Sequence, residues 1–164
     1  MNYTVFITHG MGHWDKLFRS NLTDTLKRYG MNYELQEEIT EFNGVLAEGV
    51  KSKILRSNLI LVLYSKEAYN SKFIFEEIKF SVQLNKRCIL VKEKDNPIFG
   101  LITGIDVIDF DEKRPQDSIS KIVEYAKLEQ EKQKTNNALI GLGLAAAGGY
   151  LLYKLLKSDD EDDD

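Results

Sequence analysis

The sequence predicts an α/β domain, built on a five-stranded parallel sheet with helices on both faces and followed by a transmembrane helix. Short apolar runs alternate with segments of helical period, a pattern typical of parallel sheets with helical crossovers. The run 59–64 is apolar throughout, as expected of a strand covered on both faces. About nineteen residues with one charge, 138–156, are long enough to cross a bilayer. We therefore divide the chain into a domain at 1–127, a charged linker at 128–137, the transmembrane helix at 138–156 and an acidic tail at 157–164.

Composition argues against nucleic-acid binding and against a metal site. The formal net charge is −4, and because the last six residues are all acidic, the rest of the chain carries a net charge of +2, too little to attract nucleic acid. The single cysteine, Cys88, lies in an apolar run and is expected in the core of a reduced protein. Together with His9 and His13 it forms no recognisable set of metal ligands, so we expect no metal.

The first half of the chain predicts two strands and two helices. Residues 3–9 form the first strand, and a helix with one apolar face then runs to Gly30, which ends it. The loop between them, 10–15, has two glycines but Asp15 where a dinucleotide-binding fingerprint has its third, so we interpret it as a loop that lets a ligand approach backbone amides. A short strand follows at 33–36, and a polar loop leads through Gly44 to a helix that ends near Ser57.

The second half predicts three strands and two helices. The buried strand at 59–64 is followed by a helix for which Ser71 is the expected N-cap, because its hydroxyl can accept from a free amide of the first turn. Further strands are predicted at 87–91 and 105–110. Pro115, a residue favoured in the first turn of helices, opens the last helix of the domain.

Two adjacent glutamates in the helix after Ser71 fall on different faces. Glu76 shares a face with Lys72 and Lys79, which predicts a solvated stripe of paired charges. Glu77 instead aligns with the apolar positions of the helix, among them Phe73. A carboxylate on an apolar face costs free energy unless it has a partner or a function, so Glu77 is our candidate catalytic residue. The alternative is a structural ion pair with a lysine or arginine from another element.

The topology predicts where Glu77 and the loops meet. Ligands of parallel sheets bind outside the carboxyl ends of the strands. The segments at those ends are 8–10, the loop before Gly44, and 65–71 leading to Glu77. We therefore expect all of them at one edge of the sheet.

Together these residues resemble the Toll/interleukin-1 receptor (TIR) domain, in its bacterial type with a C-terminal transmembrane helix. The resemblance covers about 2–127 and rests on a set of motifs in the right order: the strand Val5–His9, Gly44, Ser57 before the apolar run, and Ser71, Phe73 and Glu77. Where the family usually has tryptophan this chain has Phe73, and Leu46 stands where the family often has an aromatic contact. Phe73 keeps a stacking face and loses the indole donor.

The resemblance implies a flavodoxin-like sheet and, as in many members, cleavage of NAD at its nicotinamide–ribose bond. Glu77 would be the catalytic residue and NAD the substrate, with no cofactor. The substrate-binding residues would be His9, Gly10, Trp14, Gly44, Leu46, Ser71 and Phe73. In the family the Gly44 loop also mediates assembly, which implies a homo-oligomer through TIR–TIR contacts.

We therefore expect a clustering-activated NAD nucleosidase in antiviral defence or cell-death signalling. It would release nicotinamide and either ADP-ribose or a cyclic form. The absence of a signal peptide places the domain in the cytoplasm, with 138–156 as a single-pass C-terminal membrane anchor. Two alternatives stay open: a non-enzymatic adaptor that recruits other TIR proteins to a membrane, and transfer of deoxyribose between bases by a related fold.

Overall fold

The computed structural model describes residues 3–10, 13–36, 44–66, 68, 71–97, 105–111 and 113–142. Its elements alternate between strand and helix along most of the chain. In chain order they are β1 (Thr4–His9), α1 (His13–Arg28), β2 (Asn32–Leu35), α2 (Glu48–Arg56), β3 (Leu59–Tyr64), α3 (Lys72–Gln83), β4 (Arg87–Glu93), β5 (Asp106–Phe110) and α4 (Pro115–Leu142).

The five strands form one sheet in the order β2-β1-β3-β4-β5, and every neighbouring pair is parallel. This confirms the predicted five-stranded α/β sheet. All six residues of β3, the central strand, are buried, as its uninterrupted apolar run predicts. All five strands therefore end at the same edge, which we call the carboxyl edge.

Each face of the sheet is covered by its own apolar core, because successive side chains of a strand point to opposite faces. On one face, Val5 and Ile7 of β1 pack with the apolar residues of α1 and α4, where Phe18 meets Phe110 edge-to-face at 4.8 Å between ring centroids. On the other face, Phe6 packs with α2 and α3. Cys88 is buried in this second core, as predicted.

The boundaries of β4 and β2 differ from prediction by one or two residues. The sequence predicts β4 at 87–91, but the strand continues through Lys92 and Glu93, which pair with Asp109 and Phe110 of β5. The Lys92 Nζ atom lies 2.7 Å from a carboxylate oxygen of Asp109, so an ion pair accompanies the extra ladder pairs. β2 starts one residue earlier than predicted, because the Asn32 N–H already donates to the Tyr3 carbonyl, and it ends at Leu35.

The chain separates into two compact units, 1–126 and 127–164. The second unit is helical to Leu142, so the segment 128–137 that we describe as a charged linker is helix. Among the helices of the described residues, none combines the length and apolarity needed to span a bilayer. The structure thus gives no support to the transmembrane helix expected at 138–156. Most of that segment, 143–156, and the acidic tail lie outside the described residues.

Candidate active site

Helix α3 carries Glu77 into the core at the carboxyl edge. The helix begins where the Ser71 Oγ atom accepts from the Ile74 N–H at 3.3 Å, which confirms the predicted N-cap. From this start the helical period turns Glu76 outward, 3.6 Å from the Lys79 amine, and turns Glu77 inward. The Glu77 side chain has no exposed surface. The predicted division of α3 into a solvated face and an apolar face is confirmed.

A short hydrogen-bond chain joins Glu77 to the ends of β1 and β2. The Glu77 Oε2 atom is hydrogen-bonded to the Thr8 hydroxyl. The Thr8 Oγ1 atom also lies 2.8 Å from Oε1 of Gln36, the residue directly after β2. The same Gln36 oxygen accepts from the His9 backbone N–H at 2.8 Å. Side chains from α3, from β1 and from the residue after β2 therefore form one connected polar group at this edge, which we call the Glu77 site.

Burial controls the protonation of Glu77. Removal from water raises its pKa from the usual 4.5 to about 8, and the hydrogen bond to Thr8 opposes this rise. The second carboxyl oxygen, Oε1, is buried and has no hydrogen-bond partner among the described residues. Because an ionised carboxylate with an unpaired buried oxygen is very costly, Glu77 is mostly protonated at neutral pH in this structure.

The alternative role for Glu77, a structural ion pair, finds no support in the described part of the chain. No lysine or arginine there lies within ion-pair distance of its carboxyl group. No nearby charge contributes to the shift of its pKa, which arises from burial and from Thr8. Glu77 is therefore a buried acid without a counter-ion.

His9 lies at the end of β1, in contact with Arg19 of α1. Its Nδ1 atom is 2.7 Å from the Gly10 carbonyl, and its Nε2 atom is hydrogen-bonded to the Arg19 guanidinium. The Arg19 Nη1 atom also lies 3.0 Å from His9 Nδ1, so the guanidinium is within hydrogen-bond distance of both ring nitrogens. This pair places the half-buried Arg19 guanidinium beside the end of β1.

Two of the other predicted substrate-binding residues are buried, one is a glycine before α2, and one has a side chain outside the described residues. Leu46 and Phe73 are buried in the core between the sheet and helices α2 and α3, with 7% and 6% of their surface exposed. Neither therefore presents an open face to a substrate in this structure. Gly44 precedes α2 with φ +92°, a conformation that side chains rarely adopt. Trp14 lies in the first turn of α1, and its side chain is outside the described residues.

Sequence reasoning does not single out Gln36 and Arg19, and it notes Thr8 only as a strand end. Thr8 does give a signal, because it is a polar residue on the same face of β1 as the buried Phe6. Gln36 and Arg19 give none, since their contacts depend on how β2 and α1 pack beside β1. Within the described residues, no group of histidine, cysteine and acidic side chains could hold a metal ion.

The far end of the carboxyl edge is different in character. An open cleft of about 390 Å³ lies beyond β4 and β5, and Glu77 does not line it. We call it the charged cleft, and its lining residues are Lys66, Glu93, Lys94, Asp95, Phe110, Asp111 and Lys113. The Glu93 carboxylate accepts from the Lys66 backbone N–H at 3.1 Å, so part of its charge is used to hold the loop after β3.

Comparison with known proteins supports the same fold. The family described as "Thoeris protein ThsB, TIR-like domain" matches residues 15–97. No curated protein matches the sequence. Two solved structures resemble the chain at low identity. The CMP N-glycosidase BcmB of Clostridium botulinum has 16% identity and a TM-score of 0.50, covering 73% of this chain and 97% of BcmB.

The second structure contains the TIR domains of the activated Roq1 resistosome, which directly recognises the pathogen effector XopQ. Its identity to this chain is 18% and the TM-score is 0.48. The match covers 58% of this chain and 60% of the Roq1 chain. At 16% identity, BcmB speaks to the fold and not to the chemistry.

Proposed function

The chain belongs to the family of Thoeris ThsB TIR-like domains, and from this premise we propose that it cleaves NAD at the nicotinamide–ribose bond with Glu77 as the catalytic residue. The observation that carries the proposal is a fully buried acid, with no counter-ion among the described residues, at the carboxyl edge of a parallel sheet. Such a group destabilises the fold, and strongly shifted acids are concentrated at functional sites. Its position is also where parallel α/β sheets bind their ligands.

The chemistry requires little besides one carboxylate. As the bond from C1′ to the nicotinamide nitrogen breaks, nicotinamide leaves with the bonding electron pair and the ribose gains oxocarbenium character. The Glu77 carboxylate would stabilise this positive charge, and water then adds to C1′ to give ADP-ribose and one proton. Attack by an internal nitrogen of the adenine in place of water would give the cyclic product. The leaving group needs no protonation, so one acid suffices.

The structure corresponds to a resting state of the proposed enzyme. Glu77 has no exposed surface, and the chemistry needs it both accessible and ionised. We propose that clustering opens the site. Helix α2 covers the same core as α3, and the Gly44 turn leads directly into it, so contacts on the Gly44 loop could displace α2. Rehydration of the opened site would lower the pKa of Glu77 and ionise it at neutral pH.

The direct test measures nicotinamide release from NAD by the clustered protein. We expect Glu77→Gln to lower the rate about 100-fold or more, because the amide keeps the shape of the acid but carries no charge. Glu76→Gln is the matched control, one residue away on the solvated face, and should change the rate less than about twofold. Equal rates for Glu77→Gln and the parent would refute the proposal, as would no release from the clustered parent.

A TIR adaptor without enzymatic activity is the second candidate. The enclosure of Glu77, with Leu46 and Phe73 in the core, favours it, since no described surface offers Glu77 to a substrate. An adaptor would bind another TIR protein through the Gly44 loop. Binding that depends on Gly44 and not on Glu77, with NAD left intact, would select this candidate.

The third candidate function is cleavage or transfer at a different glycosidic bond. The fold is shared with BcmB, which is a CMP N-glycosidase. Supplying CMP and deoxynucleosides in place of NAD, and following the free base, separates this candidate from the first. Release of base from these compounds with NAD untouched would replace our proposal.

We also propose that the domain works in the cytoplasm, tethered to a membrane through 138–156, and serves antiviral defence or cell-death signalling through NAD depletion or a nucleotide signal. The support is the sequence of that segment, in which Lys154 is the one charge. Fractionation of cells expressing the full chain tests the tether. We expect it in the membrane fraction, and expect Leu144→Arg with Leu151→Arg to release it. A parent chain found outside the membrane fraction would rule the tether out.

A further inference from the structure

The two hydrogen-bond contacts of the Thr8 hydroxyl need two protons, and the hydroxyl has one. The second proton must come from the Glu77 carboxyl group. The Thr8 Oγ1 atom is within hydrogen-bond distance of two acceptors, the Gln36 Oε1 atom at 2.8 Å and a carboxyl oxygen of Glu77. A hydroxyl has one proton and can donate to only one of them. The other contact then needs a proton from elsewhere.

Gln36 decides which acceptor receives the Thr8 proton. Its Oε1 atom faces the chain because it accepts from the His9 backbone N–H at 2.8 Å, and this bond fixes the orientation of the amide. In that orientation the Gln36 oxygen can only accept. Thr8 therefore donates to Gln36, and the remaining contact is satisfied when the protonated Glu77 donates to Thr8. If Glu77 were ionised, two oxygen atoms would face each other without a proton between them.

We infer that Gln36 is a positioning residue that acts through Thr8 to keep Glu77 protonated, and thereby inactive, in the resting chain. Gln36 competes with the carboxylate for the single proton of the Thr8 hydroxyl. Its effect on catalysis rests on the proposed function, whereas its effect on the protonation of Glu77 does not.

Other ionisable groups near Glu77 do not account for its protonation. On β3 and β4 the ionisable side chains facing α3 are Tyr64 and Cys88, both buried. Burial raises the pKa of the Cys88 thiol to about 11, so it carries no charge at neutral pH. On α2, Lys51 pairs with Glu48 of its own helix, and the Lys53 amine donates to the Leu35 carbonyl at 3.2 Å.

On β1 and α3 the remaining charged groups point elsewhere. His9 projects from the face of β1 opposite to Thr8, where it contacts Arg19. On α3 the neighbours Glu76 and Lys79 pair with each other on the solvated side of the helix. The proton of Glu77 is therefore governed by burial, by Thr8 and by what competes for the Thr8 hydroxyl.

The test titrates Glu77 in the full chain by infrared spectroscopy, following the carbonyl band of its protonated acid, which Glu77→Gln identifies by removing it. Burial raises the pKa of Glu77 to about 8 even against a hydrogen bond from Thr8, so the parent, in which Thr8 donates to Gln36, should titrate at or above pH 8. Gln36→Met should lower the midpoint by about one pH unit, because the freed Thr8 hydroxyl can donate to the carboxylate. Thr8→Val should leave the midpoint at or above that of the parent, since no hydroxyl can then donate to the carboxylate.

The double variant shows whether Gln36 acts through Thr8. In the Thr8→Val background, Gln36→Met should move the midpoint by less than about 0.3 pH unit, because the two substitutions break the same path. Gln36→Leu repeats the test with a second side chain, and Thr8→Ser should restore the effect of Gln36. An unchanged midpoint in both Gln36 variants overturns the inference, and so does the same shift with and without Thr8.

Measuring NAD cleavage against pH in the same variants separates the two proposals. If both hold, the pH of half-maximal activity in Gln36→Met falls together with the infrared midpoint. If the midpoint moves but no variant cleaves NAD, Gln36 still controls the Glu77 proton and the proposed function is wrong. If NAD is cleaved but the midpoint does not move, the assignment of Gln36 fails and the enzyme remains.

Discussion

The two ends of the carboxyl edge hold acidic residues in opposite environments. At the Glu77 site one acid is fully buried, no cation in the described part of the chain pairs with it, and burial raises its pKa to about 8. At the charged cleft, Asp111 is partly exposed, and hydrogen bonds from the Lys113 backbone N–H at 2.9 Å and from Arg114 lower its pKa. The pKa values of two acidic residues at the same edge of one sheet are therefore shifted in opposite directions.

This contrast shows why the number of charged groups is a poor guide to an active site. The charged cleft has more ionisable side chains and more open volume, but its lysines and Asp95 are exposed, and Asp111 pairs with Arg114 near the surface. Exposed charges and surface ion pairs contribute little free energy. The Glu77 site has one ionisable group, and its environment changes with its protonation. A site that switches between protonated and ionised states needs a group whose ionisation costs free energy. Glu77, at the enclosed end of the edge, is such a group.

The largest expected difference between the two ends is in the pH dependence of stability. In the folded chain Glu77 keeps its proton up to about pH 8, whereas the unfolded chain releases it near the usual value of 4.5. The folded state thus binds more protons in this range, so the free energy of unfolding should fall as pH rises from about 4.5 to 8 and then level off. The total fall should be on the order of 5 kcal/mol.

Denaturant unfolding of the full chain between pH 5 and 9 measures this fall. Glu77→Gln should abolish most of it, because the amide resembles the protonated acid and does not titrate. Asp111→Asn, the control at the charged cleft, should leave the fall in place, since a lowered pKa affects stability only in acid. A Glu77→Gln chain with the pH profile of the parent would show that Glu77 is hydrated, and the contrast between the two ends would disappear.

Most of the fold follows from apolar periodicity, as do the two faces of α3. Strand runs and helical stripes are local patterns, so the five strands could be predicted within one or two residues and Glu77 could be placed in the core. The end of β4 is harder to predict, because Lys92 and Glu93 are charged and are ordered by pairing with β5. That pairing is a contact between distant segments and leaves no local signal.

The protonation of Glu77 and its link to Gln36 could not be read from the sequence. Thr8 is 69 residues from Glu77 and Gln36 is 28 from Thr8, so the chain of contacts exists only after β1, β2 and α3 have packed. The burial of Phe73 and Leu46 likewise depends on packing and could not be predicted from the sequence. A motif identifies the residue type at a position, but whether a side chain faces a ligand or the core depends on the state of the surrounding helices.

The smallest expected effect concerns the ion pair next to the charged cleft. Lys92 and Asp109 lie 2.7 Å apart, with 15% and 61% of their side-chain surface exposed, so solvent screens much of their attraction. Asp109→Asn should lower the free energy of unfolding by less than about 1 kcal/mol at low salt, and by less still at 1 M salt. Denaturant unfolding at the two salt concentrations measures both values. Lys92→Met and the double variant isolate the pair energy. A coupling above about 2 kcal/mol that persists in salt would mean that this end, too, is enclosed.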